Sequence, residues 1–165
     1  MQQHTLSVLV EDKSGVLARV SSLLARRGFN IHSLAVGPTG EPSMSRMTIV
    51  VEAPELEQVK KQLHKLVNVV KITELDPEVA VEVEVMLIRV AAGAGQRTEV
   101  LELAQIFDAT VVDVSPTSLL FSLTGTPRKL NDFLELLRPF GLVEMAKSGR
   151  IALSRDRKTR KLKAV

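Results

Sequence analysis

The sequence predicts an α+β fold in which two ferredoxin-like βαββαβ domains follow one another, and three observations predict it. Short segments carry apolar residues at period two, as half-buried strands do, while other segments carry them at helical spacing. These patterns succeed one another in the order βαββαβ. The same order returns after Asp76-Pro77-Glu78 with different residues but the same plan.

The first unit begins with a strand and an amphipathic helix. The alternating apolar positions of the strand are Leu6, Val8 and Val10. The helical stripe consists of Val16, Leu17, Val20, Leu23 and Leu24. Asp12 or Ser14 is the expected N-cap of this helix. Gly28 is placed to end it in the left-handed conformation.

Two more strands, a helix and a closing strand complete the first unit. Strands are predicted over Asn30–Val36 and Met47–Val51, joined by the turn-rich loop 37–42. Pro54 suits the first position of a helix. The stripe of that helix is Leu56, Val59, Leu63 and Leu66. Val69–Leu75 is the closing strand.

The second unit repeats this order. Its first strand alternates at Val79, Val81, Val83, Val85 and Leu87, and its first helix carries Val100, Leu103, Ala104 and Phe107. Strands over Thr110–Val114 and Ser118–Thr124 precede a helix that Thr126-Pro127 caps, and Leu142–Met145 is the last strand. We predict a first domain at 1–76, a second at 77–157 and a basic tail at 158–165.

Composition narrows the possible functions. The absence of cysteine excludes disulfides, thiolate metal sites and cysteine nucleophiles. No run of about 20 apolar residues and no signal-peptide pattern is present, so we expect a cytoplasmic protein that does not enter membranes. Much of the net charge of +3 comes from the tail, and a chain without Trp or Tyr offers few stacking platforms. We expect no nucleic-acid partner.

The titratable residues predict no catalytic or metal site. His4, His32 and His64 show none of the spacing that a catalytic triad or a metal site requires. Glu82 and Glu84 lie on one face of a strand, as residues at a solvated edge or an interface do. We therefore expect a binding protein and no enzyme.

One pair of junctions suits a small ligand. The junctions are Asp12-Lys13-Ser14-Gly15-Val16-Leu17, from strand to helix, and Gly28-Phe29-Asn30-Ile31, from helix to strand. These two corners can lie near each other in a fold of this kind. A helix start exposes unpaired N–H groups that favour a carboxylate, and Gly15 leaves room for it. Asp12 can hold an ammonium group, Asn30 can bond either end, and Ile31 can supply an apolar wall. A free amino acid fits, although helix capping and a glycine turn explain the same residues equally well.

These two junctions resemble the signature of ACT domains, which occur in allosteric regulators of amino-acid metabolism. Other stretches resemble the small subunits of acetolactate synthase, and together they cover nearly the whole chain. They are Leu34, Ser45-Arg46-Met47-Thr48-Ile49, Gln62–Leu66, Glu82–Leu87, Ile106-Phe107, Val112-Asp113-Val114, Gly125-Thr126 and Ala146–Arg155.

The resemblance implies a chain without an active site. Such a chain binds the large catalytic subunit of acetolactate synthase in branched-chain amino acid biosynthesis, raises its activity and confers feedback inhibition by valine. The catalytic subunit is expected to carry thiamine diphosphate, Mg²⁺ and FAD, and this chain none of them. The alternative is a free-standing ACT-type amino-acid sensor.

The resemblance also implies a homodimer with the effector between two ACT domains. The effector residues it implies are Asp12, Gly15, Val16, Leu17, Asn30 and Ile31. Dimerisation also agrees with the fold, because a ferredoxin-like sheet covered by helices on one face leaves its other face and its edges open.

Overall fold

The computed structural model describes residues 2 to 155 and contains two βαββαβ units. The elements of the first unit are β1 (Gln2–Glu11), α1 (Val16–Arg26), β2 (Asn30–Pro38), β3 (Met44–Ala53), α2 (Leu56–Leu63) and β4 (Val69–Leu75). Those of the second are β5 (Ala80–Ala91), α3 (Arg97–Ile106), β6 (Thr110–Val114), β7 (Ser118–Gly125), α4 (Pro127–Leu137) and β8 (Leu142–Lys147), followed by β9 (Ile151–Ser154). The predicted α+β class with tandem ferredoxin-like units is confirmed. The predicted tail, 158–165, lies outside the described residues.

Both sheets are antiparallel and have equivalent strand orders. The first is β2-β3-β1-β4 and the second is β6-β7-β5-β8, with β9 added beside β5. In each unit the two helices cover one face of the sheet, and the apolar core lies between them. In the second core the ring of Phe133 lies 5.1 Å from that of Phe107 and 6.1 Å from that of Phe121, centroid to centroid.

The ends of α1 agree only in part with the sequence prediction. Gly28 has φ +75° just after the helix, so the predicted glycine stop is confirmed. The N-cap is Gly15, and no side chain caps the helix, so the prediction of Asp12 or Ser14 is wrong. Gly15 has φ +82°, a conformation that glycine adopts without strain, and the chain turns into the helix there.

The second helix is shorter than its apolar stripe suggests. It begins at Leu56 after an extended Glu55, so Pro54 precedes the helix and is not its first residue. It ends at Leu63, and the N–H of Leu66 then donates to the Leu63 carbonyl in a tighter turn. Leu66 still packs against the first core. The apolar stripe therefore predicted the core residues correctly but placed the end of the helix too far along the chain.

The strand β9 has no counterpart in the sequence prediction. β5 has 12 residues, enough to pair with β9 over Ala80–Val83 and with β8 over Met86–Val90. β9 therefore extends the second sheet beside the first half of β5.

The second unit covers part of the open face of the first sheet. Four residues on the face away from the helices are nevertheless buried, namely Thr5, Ser7, Thr48 and Val50. Ala152 of β9 clusters with Leu75 and Ala80, which joins the two units. This chain thus supplies some of the cover that we expected from a second copy.

Candidate functional site

The start of α1 has unpaired backbone N–H groups beside open space. The N–H of Val16 donates to the Lys13 carbonyl over 3.3 Å. Within residues 2–155, the N–H groups of Leu17 and Ala18 have no hydrogen-bond acceptor, and no side chain caps them. A Cβ at Gly15 would meet no atom within 4 Å. Free N–H groups beside open space at a helix start favour a carboxylate.

The loop before this helix start is fixed by Asn68. The N–H of Glu11 donates to the Asn68 carbonyl over 2.9 Å, and Asn68 Nδ2 donates to Glu11 Oε2 over 2.6 Å. Arg19 of α1 donates to Asn68 Oδ1 over 2.8 Å. On the other side, the N–H of Asp12 donates to the Ser43 carbonyl over 2.8 Å. The loop is therefore ordered before any ligand arrives, which lowers the entropic cost of binding.

The two acidic residues of this loop differ in their partners. Hydrogen bonds from Asn68 and Lys13 lower the pKa of Glu11, so Glu11 is already paired as a carboxylate. Asp12 is exposed, and among the described residues its side chain has no hydrogen bond or ion pair. Asp12 is therefore the carboxylate available to an ammonium group.

The remaining predicted site residues at α1 have different exposures. Val16 is 4% exposed and belongs to the first core, so only its backbone faces the site. Leu17 is 44% exposed and offers an apolar surface beside the free N–H groups.

Asn30 and Ile31 lie at the other end of the first sheet. Glu11 pairs with Met44, whereas Asn30 pairs with Glu52, eight positions further along β3, which is about 26 Å of strand. The 11-residue α1 between the two corners is about 16 Å long. The two corners of one chain therefore lie apart, so the possibility that they lie near each other is not realised within one chain.

Glu82 and Glu84 lie at an interface within the chain. Their side chains are only 12% and 9% exposed. Arg150 Nη1 lies 3.2 Å from Glu82 Oε2, and Lys147 Nζ lies 4.0 Å from Glu84 Oε2. Of the two interpretations left open by the sequence, the interface is correct and the solvated edge is wrong.

An apolar cleft lies between the two units. It has a volume of about 770 Å³ and is bordered by β2, β3 and the loop between them, and by β5 and β9. Its apolar residues include Val36, Val81 and Ile151. A zwitterionic amino acid needs a polar or charged partner at each end, and the start of α1 offers backbone N–H groups and the Asp12 carboxylate, so it suits such a ligand better.

Within residues 2–155, the histidines form no metal site and the helices include no membrane span. Nδ1 of His4 lies 3.8 Å from Glu74 Oε1, and His64 follows the end of α2. Over residues 2–155, no three His, Asp or Glu side chains are grouped to hold a metal ion. No helix in the same span is long and apolar enough to cross a membrane.

Comparisons with known proteins match both units. Residues 6–71 match the family of AHAS small subunit-like ACT domains, and residues 83–156 match the family described as small subunit of acetolactate synthase. The acetolactate synthase small subunit of Mycobacterium bovis is 57% identical over 154 residues, 92% of each chain. A probable acetolactate synthase small subunit of Archaeoglobus fulgidus is 49% identical over 158 residues, 94% of this chain and 99% of that one.

One solved structure is similar along the same length. The crystal structure of the acetolactate synthase small subunit from Thermotoga maritima superposes with a TM-score of 0.86 at 39% identity. The match covers 94% of this chain and 98% of that one. The similarity therefore includes the arrangement of the two units.

Proposed function

This chain belongs to the family of acetolactate synthase small subunits, and from that premise we propose that it activates the catalytic subunit and makes it sensitive to valine. The observation that carries the valine proposal is the uncapped start of α1. Its free N–H groups at Leu17 and Ala18 suit the valine carboxylate. The unpaired carboxylate of Asp12 suits the ammonium group.

We propose that a second copy of the chain completes the site. β2 is an edge strand of the first sheet, and no strand within residues 2–155 pairs with its outer edge. Pro38 pairs with Ser45, next to the pairing of Glu11 with Met44, so the end of β2 lies at the same end of the sheet as the α1 start. Antiparallel pairing of two β2 edges would bring Asn30 of one copy to that end of the other. Ile31 would then line the site with Leu17.

The effect on the enzyme is tested by reconstitution. Purified catalytic subunit is titrated with this chain, and acetolactate formation is measured with and without valine. We expect the chain to raise activity to a plateau and valine to lower that plateau. A catalytic subunit whose rate does not respond to the chain would contradict the proposal.

The alternative is a free-standing amino-acid sensor. A tagged chain recovered from its own cells distinguishes the two, because a regulatory subunit carries the catalytic subunit with it. We expect the recovered complex to contain thiamine diphosphate, Mg²⁺ and FAD in proportion to the catalytic subunit. We assign these cofactors to the partner and to no residue of this chain.

A further inference from the structure

The loop between β8 and β9, residues 148–150, lies directly on β2 of the first unit. The backbone N–H of Arg150 donates to Ser33 Oγ over 2.8 Å. Gly149 has φ +81°, and a Cβ there would lie 3.1 Å from both the Leu34 carbonyl oxygen and Ser33 Oγ. A Cβ at this position would require the loop or β2 to shift by a few tenths of an ångström, and φ +81° would strain any residue other than glycine. The β8–β9 loop is therefore fitted to this strand.

The Arg150 side chain extends this contact to the other strands between the units. Its Nη1 lies 3.2 Å from Thr5 Oγ1 on β1 and 3.2 Å from Glu82 Oε2 on β5. Its Nε lies 3.8 Å from Glu84 Oε1. The Arg150 side chain is 15% exposed, so solvent screens these charges little. Arg150 thus links β1 and β2 of the first unit to β5 of the second.

The β2 contact lies next to the candidate effector residues. Asn30 and Ile31 begin β2, and the pairing of β2 with β3 shifts register between Ile31 and Ser33. An irregularity of this kind leaves the strand less firmly held than continuous pairing does. A ligand that contacts Ile31 therefore acts two residues from the hydroxyl that holds the β8–β9 loop.

The ion cluster around Arg150 has a second arrangement within reach. Nε of Arg150 and Oε1 of Glu82 are buried, and within the described residues neither has a hydrogen-bond partner. A movement of about 1 Å would bring Nε into hydrogen-bond range of Glu84. Because Nη1 faces Glu82 and Nε faces Glu84, a small shift of Arg150 adds a Glu84 hydrogen bond, and the cluster has two arrangements, without and with that bond, for a ligand to select between.

We propose that the β8–β9 loop, with Arg150 as its positioning residue, transmits effector binding on β2 to the C-terminal half of the chain. This inference rests on the proposed valine response. The ligand alters β2 near Ile31, Ser33 passes the change to the loop, and Arg150 passes it to β5. Disrupting this path leaves valine bound but without effect on the enzyme.

The test separates binding from inhibition. Valine binding to the chain is measured by calorimetry, and activity of the reconstituted enzyme is measured up to saturating valine. Arg150→Gln and Ser33→Ala are expected to bind valine within about threefold of wild type, while residual activity at saturation rises several-fold toward the uninhibited rate. Arg150→Lys keeps the charge but lacks the guanidinium nitrogens that approach Thr5, Glu82 and Glu84 together. It is therefore expected to recover only part of the inhibition.

Arg89→Gln is the matched control. Arg89 also contacts two carboxylates and a hydroxyl, of Glu144, Asp113 and Ser118, but all three lie in the second unit. We expect it to keep the wild-type inhibition plateau.

One outcome would overturn the proposed function, and a different outcome would overturn only the role of the β8–β9 loop. Wild-type enzyme that valine does not inhibit would overturn the proposed function. Wild-type inhibition with unchanged plateaus in both Arg150→Gln and Ser33→Ala would overturn this inference alone. If Arg150→Gln fails to fold, Ser33→Ala decides, because it removes one half-buried hydroxyl and no charge.

Discussion

Asn68 Nδ2 donates a 2.6 Å hydrogen bond to Glu11 Oε2, across 57 residues of sequence. The contact joins the turn before β4 to the end of β1, where the loop toward Gly15 begins. Because Asn68 also accepts from Arg19, one amide holds the strand, the loop and the helix together. The shape of the candidate effector site therefore depends on a residue outside it.

Replacing this amide should loosen the loop. We expect Asn68→Ala to lower the free energy of unfolding by about 1–3 kcal/mol, since Asn68 is 7% exposed and its partners lose their hydrogen bonds. Valine binding should weaken severalfold as the ordering cost is transferred to the binding step. Urea unfolding and calorimetry measure the two effects. Asn131→Ala is the control, since Asn131 accepts an exposed hydrogen bond from Lys147, and it should leave valine binding unchanged.

The Glu11 carboxylate should make stability depend on pH in a defined direction. Its pKa in the folded protein is below the ordinary 4.5 because Asn68 and Lys13 donate to the ionised form. A depressed folded pKa stabilises the protein above the unfolded pKa, and this contribution is lost as pH falls through the folded value. The difference in unfolding free energy between wild type and Glu11→Gln should therefore be constant at neutral pH and shrink below about pH 4.5.

A second carboxylate provides the comparison. Arg138 lowers the pKa of Glu135 in the same direction, but Glu135 lies on α4. Glu135→Gln should show the same dependence on pH without changing valine affinity. A difference for Glu11→Gln that grows toward acid pH would contradict the assigned contacts.

The sequence predicted the fold through its periodicities but could not predict the contacts between the units. Alternation at Leu6, Val8 and Val10 reports burial against helices, and that burial was observed. Thr5 and Ser7 are polar and alternate with them, which predicts exposure, yet both are buried: Arg150 donates to Thr5, and Arg46 of β3 donates to Ser7. Local patterns do not encode a partner 145 residues away.

The candidate site was predictable at one corner only. The helix start after Gly15 is a local feature, so the sequence indicated its position correctly. Asn68 carries no local signal, because an Asn in a turn is common for its own reasons. The distance between Gly15 and Asn30 follows from the register of β3, which sequence spacing does not reveal.

A charge at Gly15 should weaken valine binding. Gly15→Asp places a carboxylate beside the N–H groups that would bind the valine carboxylate, and a misplaced charge near a surface costs about 1–4 kcal/mol, or about fivefold to a thousandfold in affinity. Gly15→Asn adds a side chain of nearly the same shape as Gly15→Asp and is equally strained at φ +82°, but it adds no charge. Comparing the two variants therefore separates the effect of charge from that of bulk. We expect Asp to weaken binding more than Asn, and both variants to activate the catalytic subunit. Equal valine-inhibition midpoints for the two would contradict a carboxylate site.

Asn30→Ala should weaken binding by a smaller amount. Loss of one polar contact to the ligand costs about 1–3 kcal/mol if its partner is left unpaired. The midpoint of valine inhibition should rise while the plateau at saturation stays at the wild-type value. A raised plateau with an unchanged midpoint would place Asn30 in transmission and not in binding.

Mixed dimers should show that Gly15 and Asn30 act from different chains. About 16 Å of helix separates the two corners in one chain, so each effector site of a twofold dimer would take Gly15 from one copy and Asn30 from the other. A dimer of one Gly15→Asp chain and one Asn30→Ala chain then has one intact site and one doubly altered site. Two different affinity tags isolate this mixed dimer, and calorimetry should find one valine per dimer, against two for wild type.

The reverse arrangement gives the opposite expectation. A dimer of wild type with a chain carrying both substitutions has each site altered once, so we expect no binding at wild-type affinity. A site contained within one chain would give the opposite pair of results, with no intact site in the first dimer and one in the second. The two dimers contain the same substitutions in the same number, so general destabilisation affects both equally. Only the division of the site between chains can make their valine stoichiometries differ.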